Sequence, residues 1–235
     1  MKKAFLLLVT ALLAGVLPAA ARVHELRTQD FSRLAVVDGI NVEYRCNADS
    51  AGYVLVDCAE DVSRKILLSF NKKNQLRVQL DPDLIGSPGL PTVVVYSSTL
   101  HEAINSSDST LHITGLPAGL QEFKATLSNN GRLQVDGLDV DILALRILTG
   151  AGTISASGRC QRLNMRLLGS GSILAGQVQS REAYCRIMGT GTIECRVDGG
   201  ELNVKGSGTG KVLYHGTPAA VKVKKLGTIR AIPVK

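Results

Sequence analysis

The chain has no tryptophan, and its five Tyr and four Phe are spread over 235 residues. A sugar site built on aromatic platforms has little to work with. The same scarcity argues against a nucleic-acid surface, which interleaves aromatics with a basic stripe or carries a recognisable module. Long apolar runs are equally rare. After residue 17 no stretch reaches the roughly 18 residues of a membrane-spanning helix, so no transmembrane segment is expected in the mature chain. Cysteines number five, none in a C-x-x-C pair, and His24, His101, His112 and His215 stand apart from them. That removes the usual zinc spacings, and the histidines also lack a nucleophile at recognisable spacing. Neither metal nor cofactor is expected.

What is present begins with a leader. Lys2 and Lys3 precede an apolar run over residues 4–17, and Ala19, Ala20 and Ala21 offer small residues for cleavage before Arg22. This pattern predicts a secretory signal peptide over 1–21, and no cysteine follows it to accept a lipid. A periplasmic or extracellular location is the expectation. Removing Lys2 and Lys3 leaves 25 basic against 20 acidic residues, a mature net charge of +5. In an oxidising compartment an odd cysteine count leaves at least one thiol over. Cys46 and Cys58 flank one turn and form the best candidate disulfide, while Cys185 falls on an inward phase.

The dominant feature is a repeat. Leu148-Thr-Gly-Ala-Gly-Thr-Ile154 returns as Leu167-Leu-Gly-Ser-Gly-Ser-Ile173 and Ile187-Met-Gly-Thr-Gly-Thr-Ile193. Partial copies surround Gly131, Gly206 with Gly208, and Gly227. Counted on Gly131, Gly152, Gly171, Gly191, Gly208 and Gly227, the steps are 21, 19, 20, 17 and 19 residues. A period near 20 marks a solenoid. Apolar residues recur six and four positions before each second glycine and two after it, so they stack in columns facing a common interior. Gly150, Gly169, Gly189 and Gly206 complete the pairs that turn the chain. Arg146 breaks the pattern at an inward position, which a bulge turning Leu145 and Ile147 inward would repair. Gly210 breaks it at another.

A coil of two or three short strands cannot bury its apolar face alone, so each strand pairs in parallel with its equivalent one turn away. Such crossovers are right-handed. The expected fold is all-β, a right-handed parallel β-helix over residues 92–235. Ahead of it, residues 22–91 alternate in short strands at 34–37, 40–44, 53–56, 66–70 and 76–80, with a helical turn within 58–65. Asp38-Gly39 signals a tight hairpin, and short connections predict an antiparallel cap. The Pro- and Gly-rich passage from Asp81 to Pro91 marks the boundary. At the far end Lys222 and Lys224 beside buried Val221 and Val223, then Pro233, read as edge protection.

The segment Asp38-Gly-Ile-Asn-Val42, followed by Gly150-Ala-Gly152, Gly169-Ser-Gly171, Gly189-Thr-Gly191 and Gly206-Ser-Gly208, resembles the bacterial GIN-domain family of autotransporter adhesin head domains. The resemblance runs from residue 31 to 235. It implies a parallel β-helix and brings no agreed catalytic residues.

For chemistry, Asp136, Asp139 and Asp141 form the one close acidic set on the repeats, with Arg159 or Arg162 a coil away; Asp81 and Asp83 sit beside a proline. A polysaccharide lyase or hydrolase would need such carboxylates converging on a groove, and solvated outward residues explain them as well. Gly206-Ser-Gly-Thr-Gly-Lys211 lacks the glycine and the Ser or Thr of a phosphate loop and belongs to the repeat. For binding, Tyr184 and Tyr214 are the aromatics of the repeats, and Arg166, Arg186, Lys205 and Lys222 offer cations to an acidic glycan or envelope protein. The leading expectation is a non-catalytic adhesin-like module, with an enzyme or an end-to-end homo-oligomeric assembly as alternatives.

Overall fold

A computed structural model describes residues 22–234, so the expected leader lies outside the described residues. Strands run β1 (Arg22–Arg27), β2 (Arg33–Val36), β3 (Val42–Cys46), β4 (Tyr53–Cys58), β5 (Ile66–Phe70), β6 (Gln75–Leu80) and β7 (Val93–Ser97). A single helical turn, α1 (Glu60–Ser63), separates β4 from β5. Next come β8 (Glu102–Asn105), β9 (Thr110–Thr114), β10 (Leu120–Ser128), β11 (Arg132–Thr149), β12 (Thr153–Gly169) and β13 (Ser172–Gly189). The chain closes with β14 (Thr192–Val197), β15 (Glu201–Gly208), β16 (Lys211–His215), β17 (Ala220–Gly227) and β18 (Arg230–Pro233).

These wind into a parallel β-helix of about seven turns. One stack of rungs runs β6, β2, β8, β10, then the second halves of β11, β12 and β13, then β15 and β17. The other runs β7, β3, β9, the first halves of β11 to β13, then β14, β16 and β18. The three long strands pass through the bend between stacks with a shift of register there and resume their rung-to-rung pairing beyond it, helped at Gly137 and Gly158 by positive φ.

The inward columns form as the repeat dictates. Ala125, Leu145, Met165, Cys185 and Val204 make one; Leu133, Ile154, Ile173, Ile193 and Val212 make another, and none is more than 2% exposed. Burying each large aliphatic side chain is worth about 1.5–3 kcal/mol, and only stacked rungs can hide them. Arg146 points out because Leu127 pairs with Ile147 while Ser128 pairs with Thr149, which leaves Leu148 as a bulge. Leu145 and Ile147 are fully buried.

The fourth copy sits two residues from where glycine counting puts it. Gly208 stacks on Gly189, and the position of Gly210 abuts the carbonyl of Gly191, so the true corner pair is Gly208 with Gly210. Val212 then takes the place of the missing isoleucine. Gly206 fills an inward slot against Ile187, and Ile229 from the next turn occupies the space its absent side chain leaves.

At the N-terminal end the solenoid begins before the Pro- and Gly-rich passage. β2 pairs in parallel with β6 and β8, and β3 with β7 and β9, so Asp38-Gly39 is a corner of a rung and not a hairpin. The Asp38 carboxylate accepts the Leu80 amide at 2.8 Å and pins that corner to the neighbouring turn. The antiparallel cap consists of β1 on β4, β4 on β7 and β5 on β6. It also separates the expected disulfide pair. Cys46 lies beside Ser97, at one end of β7, and β4 runs antiparallel to β7 with Val56 beside Val93, which carries Cys58 past the other end. At about 3.3 Å per residue this exceeds the 7 Å limit for bridging Cα atoms, and both are free thiols.

The C-terminal turn differs from the expectation in burial. Val221 and Val223 are each 39% exposed, because among the described residues β17 pairs only with β15 and no further rung covers them.

Candidate functional site

Outward residues of the stack that ends in β17 align as strictly as the inward ones. Arg146 pairs with Arg166, Arg166 with Arg186, Arg186 with Lys205, and Lys205 with Lys224. Five exposed cations therefore stand in one column on one face. Neighbouring strands are about 4.8 Å apart, so the column is roughly 19 Å long. Like charges on directly paired positions repel.

Several cations elsewhere are neutralised. Arg159 makes a bidentate pair with Asp139 at 2.8 and 2.6 Å, Arg162 meets Glu182 at 2.6 Å, and Lys222 meets Glu201 at 2.6 Å. Among the described residues the five column members form no ion pair with a carboxylate. One neighbouring column carries Asn164, Tyr184 and Asn203; the other carries the apolar Leu168 and Met188, then Ser207 and Leu226. Met188 is 42% and Leu226 77% exposed. A shallow groove of about 350 Å³ runs between Arg146, Arg166, Arg186 and Tyr184, and a second of about 330 Å³ continues past Met188 and Lys205. The larger hollow of about 530 Å³ near the cap is lined by charges that already pair, Arg33 with Glu102 and Lys124 with Glu122.

The opposite stack presents Thr153, Ser172 and Thr192 in register, flanked by Arg132 and Lys211, a largely neutral surface. Hydroxyls separate the cations at the two ends of that column, whereas the first face carries five cations in unbroken register.

The acidic candidates do not converge. Asp139 is held below the usual carboxylate range by the Arg159 guanidinium, and Arg159 is raised in return. Asp136 sits before the bend, where it accepts from His112 at 2.8 Å, Gln134 at 2.6 Å and Ser157 at 3.3 Å. Desolvation pushes its acidity down, but the hydrogen bonds from His112 and Gln134 prevail and lower its pKa. Asp141 is exposed and tied to neither. Asp83 pairs with Lys65 at 3.2 Å, and Asp81 caps a short turn through the Asp83 amide. His24 contacts the Cys58 carbonyl and His215 contacts Glu194. Among the described residues no group of three His, Cys, Asp or Glu side chains is placed to hold a metal, and no helix is long and apolar enough to cross a membrane.

Because the folded pKa of Asp136 lies below its unfolded value, its contribution to stability is present above the ordinary carboxylate range and is lost as pH falls through the folded value. The stability gap between wild type and Asp136→Asn should therefore shrink as urea melts are repeated from neutral pH down to pH ~3. A gap that stays constant over that range would show that the carboxylate charge plays no part.

The sequence matches the family described as "Putative auto-transporter adhesin, head GIN domain" over residues 30–218. The chain belongs to this family. Solved structures share the fold. A "putative adhesin" from Bacteroides fragilis superposes with a TM-score of 0.78 at 17% identity, covering 91% of this chain and 97% of its own. A "putative adhesin" from Parabacteroides merdae gives 0.68 at 20% identity, covering 93% and 98%. A "Putative lipid binding protein" from Parabacteroides distasonis gives 0.71 at 19% identity, again covering 93% and 98%. Among curated proteins none matches the chain.

Arg166, Arg186 and Lys205 are legible in the sequence as separate outward cations, but the column they share is not. Arg146 falls on an inward count that only the bulge at Leu148 turns outward, and Lys224 reads as edge protection. Lys222, named with them, stands one column over and is neutralised by Glu201. A count of 20 from Arg146 to Arg166 to Arg186, then 19 to Lys205 and 19 to Lys224, is the signal that finds the set.

Proposed function

We propose that this chain is a secreted, non-catalytic adhesion or envelope-interaction module that lays a linear acidic polymer along its cation column. The carrying observation is the column itself: five like charges in unbroken register on an open face, none of them in an ion pair with a carboxylate among the described residues. An extended polyanion running parallel to the solenoid axis offsets that repulsion at every rung. A carboxylated glycan suits the geometry, since Tyr184 and the asparagines beside the column supply hydrogen bonds and one flat ring. Shallow grooves without converging carboxylates favour holding a chain over cleaving it.

Exposed Leu148 and Met188 next to the column support a second reading, an anionic amphiphile whose tail lies on the apolar side. The relative described as lipid-binding agrees with it.

The test is titration of the mature chain with polygalacturonate, with a neutral dextran of similar length, and with vesicles of phosphatidylglycerol. The proposal expects polygalacturonate binding that weakens steeply with salt, as screening and counterion release require, and none to dextran. Equal affinity for both polysaccharides overturns it. Vesicle binding without polysaccharide binding establishes the second reading instead.

A further inference from the structure

Two buried thiols face each other inside one turn. The corner at Gly189, Thr190 and Gly191 folds the end of β13 back towards β14, and the arms are symmetric about Thr190: Ile187 answers Ile193, Cys185 answers Cys195, and Ala183 answers Val197. All six are buried, with Cys185 at 2% and Cys195 at 0% exposure. The two thiols lie in side-chain contact, and Cys195 also points towards the Leu213 carbonyl at 3.8 Å. In the turns above and below, the corresponding rungs carry Met165 and Ala175, or Val204 and Tyr214, so neither neighbouring turn offers a second thiol pair.

The other cysteines are elsewhere. Cys160 stands in register with Val140 and Ser180, on the bend, while Cys46 and Cys58 belong to the opposite end of the solenoid.

We infer that Cys185 and Cys195 close a disulfide across the interior of this turn when the chain folds in the presence of a disulfide donor. One thiolate attacks the donor, displaces a donor thiol and forms a mixed disulfide. The second protein thiolate attacks that bond and expels the remaining donor thiol. Two S–H groups become one S–S bond, and the donor disulfide takes up both electrons and both protons as two thiols. Because the folded interior shields both sulfurs, the exchange belongs to folding rather than to the finished molecule. A bridge between sheets is an established way to tie two β arms together. Here it would fix the arm that presents Tyr184 and Arg186 outward, on either side of Cys185.

The sequence makes the test clean. Trypsin cuts after Arg181, Arg186 and Arg196, which leaves Cys185 on the peptide Glu182 to Arg186 and Cys195 on the peptide Ile187 to Arg196. The reduced, denatured chain is refolded with oxidised glutathione, blocked with a maleimide in denaturant and digested without reductant. The expected result is the two peptides joined as one species that separates on reduction, with three of the five cysteines labelled per chain. Both peptides recovered singly with maleimide on each cysteine, or Cys185 joined to any cysteine other than Cys195, overturns the inference.

Discussion

Replacing Arg166 and Arg186 together by glutamine is expected to weaken polygalacturonate binding while leaving the protein as stable as before, or more so. The two effects follow from one cause. Each arginine is paired in register with like charges above and below, about 4.8 Å away, so neutralising the middle of the column removes repulsion from the folded state. The bound polymer loses two of its five cationic contacts. Exposed charge contacts are worth about 0.2–1 kcal/mol each, so glutamine at both sites should reduce affinity roughly 2- to 30-fold. Glutamate at both sites adds repulsion to the loss and should leave no measurable binding at low salt. Lys72→Glu with Lys73→Glu, on the exposed turn between β5 and β6, makes the same change in net charge away from the face. It should change affinity much less. Calorimetric titration and thermal melts of the three double variants decide the matter: equal loss from the Lys72 and Lys73 variant would mean that net charge alone drives binding, and a lowered melting point for the glutamine variant would mean that the arginines serve the fold.

Why the fold was readable and the face was not has a physical explanation. Inward columns are selected by burial, which leaves the same mark, an aliphatic residue, once per turn, and the glycines at Gly150, Gly169 and Gly189 are fixed by close backbone approach. Register on the outside carries no such mark. One bulged residue at Leu148 moves Arg146 from an inward count to an outward place, and a two-residue offset at Gly206 displaces every count after it. Asp38-Gly39 misled for another reason: a turn residue reports that the chain turns, and does not say whether the next strand lies alongside or one sheet away. The cysteine pair shows the same limit. Cys46 and Cys58 are near in sequence and far apart across β7, whereas Cys185 and Cys195 face each other only because the Gly189 corner folds one arm over the other.

That corner gives the largest expected effect on stability, through Gly189→Val. At Gly189 the backbone has φ of 134°, where side chains are strained, and a Cβ there would stand 2.2 Å from the carbonyl oxygen of Gly169 in the turn below. The same oxygen accepts the amides of Thr190 at 3.1 Å and Gly191 at 3.3 Å, so it cannot move aside without breaking the rung-to-rung bonds that hold the corner. Backbone strain of this kind costs about 1–3 kcal/mol. Parting the rungs forfeits two hydrogen bonds of about 1 kcal/mol each and opens the packing of Ile187 and Ile193. The sum, on the order of 4 kcal/mol, is a large share of the 5–15 kcal/mol typical of a folded domain. Gly39→Ala is the matched control, because Gly39 has no positive φ and nothing within 4 Å of a Cβ. It should be neutral or stabilise by up to about 1 kcal/mol. Denaturant melts that place Gly189→Val within about 1 kcal/mol of wild type would mean the glycine corners are not held by close stacking; melts in which Gly39→Ala is the more damaging of the two would restore Asp38-Gly39 as a turn that requires glycine.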